Sequence, residues 1–251
     1  MFIVTGASSG IGHATALALA SRHVQVLAVA RDEQRLRALR DQYPDQIHIV
    51  IADLATATGI SDVLTAAKSH PNVGAEAGGV VGGMVHAAGT AVPLDSYQQL
   101  KLGSQNLQRH FAVHVEAPIA LNNGLGAMLK GTRILYIDSF SANAPRIGWA
   151  AYSIIKAAAR MAAQSADAEL TDATVISVLP GGVRTPLVNQ VLSATQHSPT
   201  TSAFQELEQA GKLVEPDAIG AYLCQLLLDA TDAQLASRNI WTFGNPDDRI
   251  A

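Results

Sequence analysis

Short apolar runs alternate with stretches of helical period along the whole chain. MFIV, VQVLAVA, IHIVIAD, VVGGMVHAAG, RILYIDS, TVISVLP and NIWTFG are strand candidates, and most are separated by helix-length segments. Several of these runs are continuously apolar, the mark of strands buried on both faces. The alternation predicts an α/β fold: a doubly wound parallel sheet of about seven strands, with helices on both faces and right-handed crossovers. A long helical stretch is expected from about Ser96 to Lys130, and Glu215-Pro216 should start a helix through AIGAYLCQLLLDA. PNVGAEAGGVVGG, residues 71–83, crowds glycine and proline before the fourth strand and predicts an exposed loop. Neither repeat nor linker divides the chain, so residues 1–251 read as a single domain.

Composition narrows the class. Hydrophobic residues make up 48% and aromatics 5%, so Ala, Val, Leu and Ile must fill most of the interior. A net charge of −4 supplies no basic field, and neither nucleic acid nor an anionic membrane is expected as a partner. Met1 leads straight into the first strand and no apolar run approaches ~20 residues, so a cytoplasmic location is expected. Cys224, the single cysteine, lies in AYLCQLLL and reads as a small buried hydrophobe. No Cys/His cluster has ligand spacing, and no metal is expected.

Two motifs carry chemistry. TGASSGIG, Thr5 to Gly12, follows MFIV and runs into the apolar-periodic ATALALA. Gly6, Gly10 and Gly12 allow a tight turn, close backbone approach to a pyrophosphate and tight helix-on-strand packing. The helix-start N–H groups around Ser8, Ser9 and Ile11 then face the anion, the requirement of a Rossmann-type dinucleotide site. At the second motif, Tyr152 and Lys156 stand four apart in AAYSIIKAAARMAA, so both should leave one helical face. A nearby ammonium favours a phenolate and would bring Tyr152 toward working pH as an acid and base. Ser139, thirteen residues upstream at the end of ILYID, is placed to hydrogen-bond the same substrate oxygen.

Together TGASSGIG, Ser139, Tyr152 and Lys156 resemble the short-chain dehydrogenase/reductase family, in its subgroup with chains of about 250 residues. Asp53-Leu54, the HAAG at 86–89 and PGGVRTP at 180–186 extend the likeness over nearly the whole chain. The resemblance implies an NAD(P)-dependent oxidoreductase in which Tyr152 exchanges the proton, Ser139 orients the oxygen, and Lys156 tunes the phenol and bonds the nicotinamide ribose. It implies that Asp53 and Leu54 border the adenine and that Ala87, Ala88 and Gly89 pack along its ribose. It also places Pro180, Gly181, Val183 and Thr185 at the nicotinamide. Relatives commonly read Asn-Asn-Ala-Gly where this chain has His86 and Ala87, so His86 must replace buried amide bonds as a structural donor. They also often carry an asparagine in the long helix, whose backbone carbonyl holds a water connecting the lysine to solvent. His114 stands there and enters the predicted catalytic set.

Ala30 occupies the position where NAD-preferring relatives carry an aspartate, and Arg31 follows it. A guanidinium there accommodates a 2′-phosphate, favouring NADP(H). Ser9, where many NADP-dependent relatives are basic, and Asp32, two positions on, keep NAD(H) open. The expected activity is an NADP(H)-dependent carbonyl reductase or alcohol dehydrogenase acting on a small carbonyl compound. GKLVEP before an apolar helix is similar to the sepiapterin- and benzil-reductase-like branch. The alternatives are an NAD-dependent dehydrogenase working oxidatively and a nucleotide-binding regulator without turnover. Phe140, Arg146 and Trp149 are pocket candidates. Residues about 186–214 read as a substrate lid, with Leu187, Val188, Val191 and Leu192 as its apolar wall. Relatives pair through two long helices, which implies a homodimer or homotetramer.

Overall fold

The computed structural model describes residues 1–70, 79–90, 95–101, 103–193 and 198–250. Most of the loop predicted before the fourth strand, residues 71–78, and the centre of the predicted lid, residues 194–197, lie outside the described residues. Each of the seven apolar runs contains a strand: β1 Phe2–Thr5, β2 Val26–Ala30, β3 Ile47–Ile51, β4 Gly83–His86, β5 Arg133–Ile137, β6 Thr174–Leu179 and β7 Ile240–Thr242. They form one parallel sheet in the order β3-β2-β1-β4-β5-β6-β7. The order reverses between β1 and β4, so a crevice opens beyond their carboxyl ends.

Strand geometry explains the continuous apolar runs. Successive side chains point to opposite faces, and both faces are covered. In β2, Val26, Ala28 and Ala30 join one core cluster while Leu27 and Val29 join the other. The first cluster lies under α1 (Gly10–Ser21), α2 (Glu33–Arg40) and α9 (Pro216–Leu228). The second lies under α3 (Ala57–Ser69), α5 (Ala117–Leu125) and α6 (Ala150–Glu169). Helices α1 and α9 approach so closely that a Cβ on Gly220 would come within 2.5 Å of the Ala14 backbone. Cys224 is buried in α9, as its setting predicted.

The helix expected from Ser96 to Lys130 is instead broken. A 3₁₀ turn at Tyr97–Gln99 precedes α4 (Gln105–Phe111), and a π turn at Ala112–Glu116 separates α4 from α5. Ser104 stops the helix from extending backwards, because its side chain accepts the Leu107 N–H and caps α4. A second 3₁₀ turn, Gly126–Leu129, ends the stretch.

His86 is the structural donor the sequence required. Its Nε2 lies 3.1 Å from Asn122 Oδ1, and Asn122 Nδ2 donates to the Tyr136 hydroxyl at 2.9 Å. All three side chains are buried, joining β4, α5 and β5 beneath the crevice. Burial drives the His86 imidazole down to about 4, with the Asn122 bond opposing the shift. The unfolded chain therefore binds a proton between pH 6.5 and 4 that the folded chain refuses, and stability falls as pH drops through that window. The loss expected from this group is about 3 kcal/mol. His86→Gln should flatten that part of the pH dependence, read as urea midpoints of both proteins from pH 7 to pH 4.

Candidate active site

A cleft of about 1010 Å³ runs along the carboxyl ends of the central strands, from Arg31 beyond β2 to Tyr152 on α6 and the helices after β6. Its volume is at the upper end of ordinary ligand sites. All the predicted catalytic and cofactor-binding residues line it except Gly12. Gly12 instead lies where α1 crosses the turn, and a Cβ there would come within 2.5 Å of the Gly6 carbonyl oxygen. Its contribution in this structure is close packing of α1 against the turn.

The glycine turn suits an anion. Gly6 adopts φ +70°, and a Cβ would meet the Ala87 and Ala88 backbone at 2.8 Å. Ser9 starts α1 without capping it, so its side chain leaves the first-turn N–H groups uncovered, and no acidic residue sits in that turn. Thr5 fixes the opposite wall: its hydroxyl accepts the N–H groups of Ala87 and Ala88, both at 3.1 Å. These features fit the pyrophosphate of a dinucleotide.

Beyond β2, the Arg31 side chain makes no hydrogen bond or ion pair among the described residues, and its charge acts on Asp53 only from a distance. Asp32 is committed to the helix that follows, accepting the Arg35 N–H at 3.0 Å as the cap of α2 and pairing with the Arg35 side chain at 3.3 Å. Asp53 is engaged as well. Arg109 of α4 donates to both its carboxylate oxygens at 2.8 and 2.7 Å, and the Ala55 N–H adds a third bond. Burial works against ionisation of Asp53, but these bonds and the charges of Arg109 and Arg31 outweigh it and hold the carboxyl below its usual range. Sequence reasoning did not find Arg109, since an arginine on a polar helix face looks like any surface charge.

At the far end, α6 brings Tyr152 and Lys156 to one face, and both are 7% exposed. Ser139 lies two residues past β5, where its hydroxyl accepts the Ser141 N–H at 3.1 Å and its side chain neighbours that of Tyr152. The Lys156 ammonium donates to the Ile137 carbonyl at 2.9 Å and sits 5.8 Å from the Tyr152 ring centre. The expected lowering of the phenol by Lys156 is not what this geometry produces. Burial pushes Tyr152 up to about 12, opposed by the neighbouring Ser139 side chain and aided by the Asp138 charge, while burial brings Lys156 down to about 8. At neutral pH the phenol keeps its proton.

His114 is the centre of the π turn, where the Ala117 N–H reaches back to the Ala112 carbonyl. Its Nε2 lies 3.0 Å from both the N and the O of Thr90, so the ring braces the segment after β4. Burial first, then the Lys156 charge, holds this imidazole well below its ordinary range and therefore neutral. Near the cleft mouth, Trp149 stacks on Phe204 with centroids 5.5 Å apart and meets Tyr152 edge-on at 5.7 Å. Phe140, Arg146, Leu187 and Val188 also line the cleft. Val191 packs instead into the Trp149–Tyr152 cluster, behind the wall it was expected to form, and Leu192 does not line the cleft either. The helices of the predicted lid are α7 (Pro186–Leu192) and α8 (Pro199–Gln209).

A family model described as short chain dehydrogenase matches residues 1–196. An uncharacterized oxidoreductase of Staphylococcus epidermidis is 31% identical over 193 residues, covering 74% of this chain and 78% of the relative. A benzil reductase ((S)-benzoin forming) of Bacillus subtilis is 26% identical over 243 residues, covering 92% of this chain and 95% of the relative. A crystal structure of a short chain dehydrogenase/reductase from Saccharomyces cerevisiae superposes with a TM-score of 0.87 at 20% identity, covering 98% of this chain and 96% of that one. Among the described residues, no helix is long and apolar enough to cross a membrane.

With Asp32 tied to α2, its carboxylate should have little part in choosing a cofactor. Asp32→Ala is expected to cost about 1 kcal/mol through the lost cap, leaving the ratio of NADPH to NADH affinity unchanged. Thermal melting and cofactor titration of the one variant check both halves.

Proposed function

Since the chain belongs to the short chain dehydrogenase family and is an oxidoreductase, we propose that it is an NADP(H)-dependent carbonyl reductase working on a small ketone. The observation that carries this reading is the convergence of Ser139, Tyr152 and Lys156 at one end of a cleft whose other end holds Arg31. A bound nicotinamide supplies the hydride that the carbonyl carbon receives. Ser139 donates a hydrogen bond to the substrate oxygen, and Tyr152 delivers the proton as charge develops there. A buried phenol that stays protonated at neutral pH has the proton that reduction of a carbonyl requires. Lys156, held by the Ile137 carbonyl, bonds the nicotinamide ribose. The π turn at His114 serves the path that returns a proton to this group, a use supported by the frequency of such turns at functional sites.

Arg31 binds the 2′-phosphate, supported by its lack of a hydrogen-bond or ion-pair partner among the described residues and by the engagement of Asp32. Substrates are aromatic ketones or dicarbonyls. Trp149, Phe204 and Phe140 along the mouth support that class, as does the name of the Bacillus subtilis relative. Helices α7 and α8 form the substrate lid, and exposed Ile154 and Met161 on α6 support pairing of subunits into a homodimer or homotetramer.

Turnover of a panel of aromatic ketones and dicarbonyls with NADPH and with NADH tests the reading. Binding of NADPH with no turnover on any of them would replace the enzyme with a nucleotide-binding protein, and a consistent preference for NADH would reassign the cofactor. Tyr152→Phe should slow reduction by about 100- to 10,000-fold, with NADPH affinity from fluorescence titration nearly unchanged. Arg31→Ala should weaken NADPH more than NADH by about 1–3 kcal/mol; equal losses in the two titrations would remove the 2′-phosphate role.

A further inference from the structure

The reaction outlined above leaves a buried ion pair beside Ser139 without a use. Asp138, between the end of β5 and Ser139, has a side chain 3% exposed, and Arg160 of α6 has one 10% exposed; Arg160 Nε meets Asp138 Oδ2 at 2.5 Å. The other guanidinium nitrogens donate to the Ser139 carbonyl at 3.1 Å and to the Asn143 side-chain oxygen. Asp138 Oδ1 in turn accepts the Ser139 N–H at 2.7 Å. Both backbone polar groups of Ser139 are thus held by one ion pair, and Asn143, just past the turn Ser139 caps, is held by its cation.

Arg160 stands four residues after Lys156 and eight after Tyr152, so the three share one helical face. A desolvated ion pair is a poor route to stability, because a well-packed apolar pair of similar size serves as well or better. What this pair does that an apolar pair would not is fix the orientation of the Ser139 peptide relative to α6. A planar guanidinium reaches three acceptors at set angles, which an ammonium does not.

We propose that Arg160 is a positioning residue: through the Asp138 carboxylate, the Ser139 carbonyl and Asn143, it holds the Ser139 hydroxyl in register with the Tyr152 phenol. The consequence for rate rests on the carbonyl-reductase reading, whereas the geometric claim does not. Sub-ångström placement of orienting groups governs the rate of the chemical step more than substrate affinity.

The test uses Arg160→Lys, which keeps the charge but not the fork, and the double variant Asp138→Asn with Arg160→Gln, which strands no buried charge. Crystal structures of the wild type and both variants locate Ser139 relative to Tyr152. Melting temperature, NADPH affinity, kcat and KM are measured on the same proteins. We expect melting of the double variant within about 4 °C of wild type, NADPH affinity within ~2-fold, KM within ~3-fold and kcat lower by about 10- to 100-fold, with the Ser139 hydroxyl displaced by about 1 Å in both variants. A Ser139 that stays in place in both variants overturns the proposal, and so does a displaced Ser139 with wild-type kcat. If Arg160→Lys does not fold, the double variant decides alone. A wild type that turns over no ketone, with Ser139 still displaced in the variants, supports the positional claim and rejects the reductase reading instead.

Discussion

The Lys156 ammonium is carried into the interior on α6 and finds its acceptor in the Ile137 carbonyl, at the last residue of β5. A buried cation needs such a partner, and a parallel sheet offers free carbonyls where its strands stop pairing. The bond therefore draws the helix bearing Tyr152 over the carboxyl edge of the sheet. Since all seven strands run the same way, that is also the edge where the glycine turn after β1 and the loop after β6 emerge. The cleft follows from this shared polarity.

Two histidines show how the chain keeps this frame rigid. His86 reaches Asn122 and, through it, Tyr136, while His114 reaches the Thr90 backbone. Both imidazoles are buried deeply enough to stay neutral, so each serves as a hydrogen-bonding group of fixed charge. One braces the floor of the cleft and the other its wall. Histidine is usually the residue whose charge changes near neutral pH, and burial removes that property here.

Charge along the cleft is distributed unevenly. Every carboxylate near the glycine turn is already bonded, Asp32 to α2 and Asp53 to Arg109, while Arg31 has no ion pair among the described residues. The balance leaves this end receptive to an anion. At the other end, Asp138 and Arg160 act in opposite directions on Lys156, while Asp138 adds to the rise of Tyr152; burial is the leading influence on both groups.

The seven strands, the glycine turn and the helical face shared by Tyr152 and Lys156 were legible in the sequence, because each rests on local periodicity or on the stereochemistry of short segments. The extent of the helix around His114 was not, since a side-chain cap at Ser104 and a π turn depend on hydrogen bonds that periodicity does not encode. Nor was the pairing of Asp53 with Arg109, 56 residues apart, or the hold of Arg160 on Asp138 and Ser139. The spacing of Tyr152, Lys156 and Arg160 already put them on one face, but a face becomes a site only when another element meets it. The sequence by itself determined which segments form strands and helices and which residues each segment presents. Tertiary structure alone decided which charges are spent on one another and how far burial moves a phenol or an imidazole, because both depend on neighbours distant in the chain.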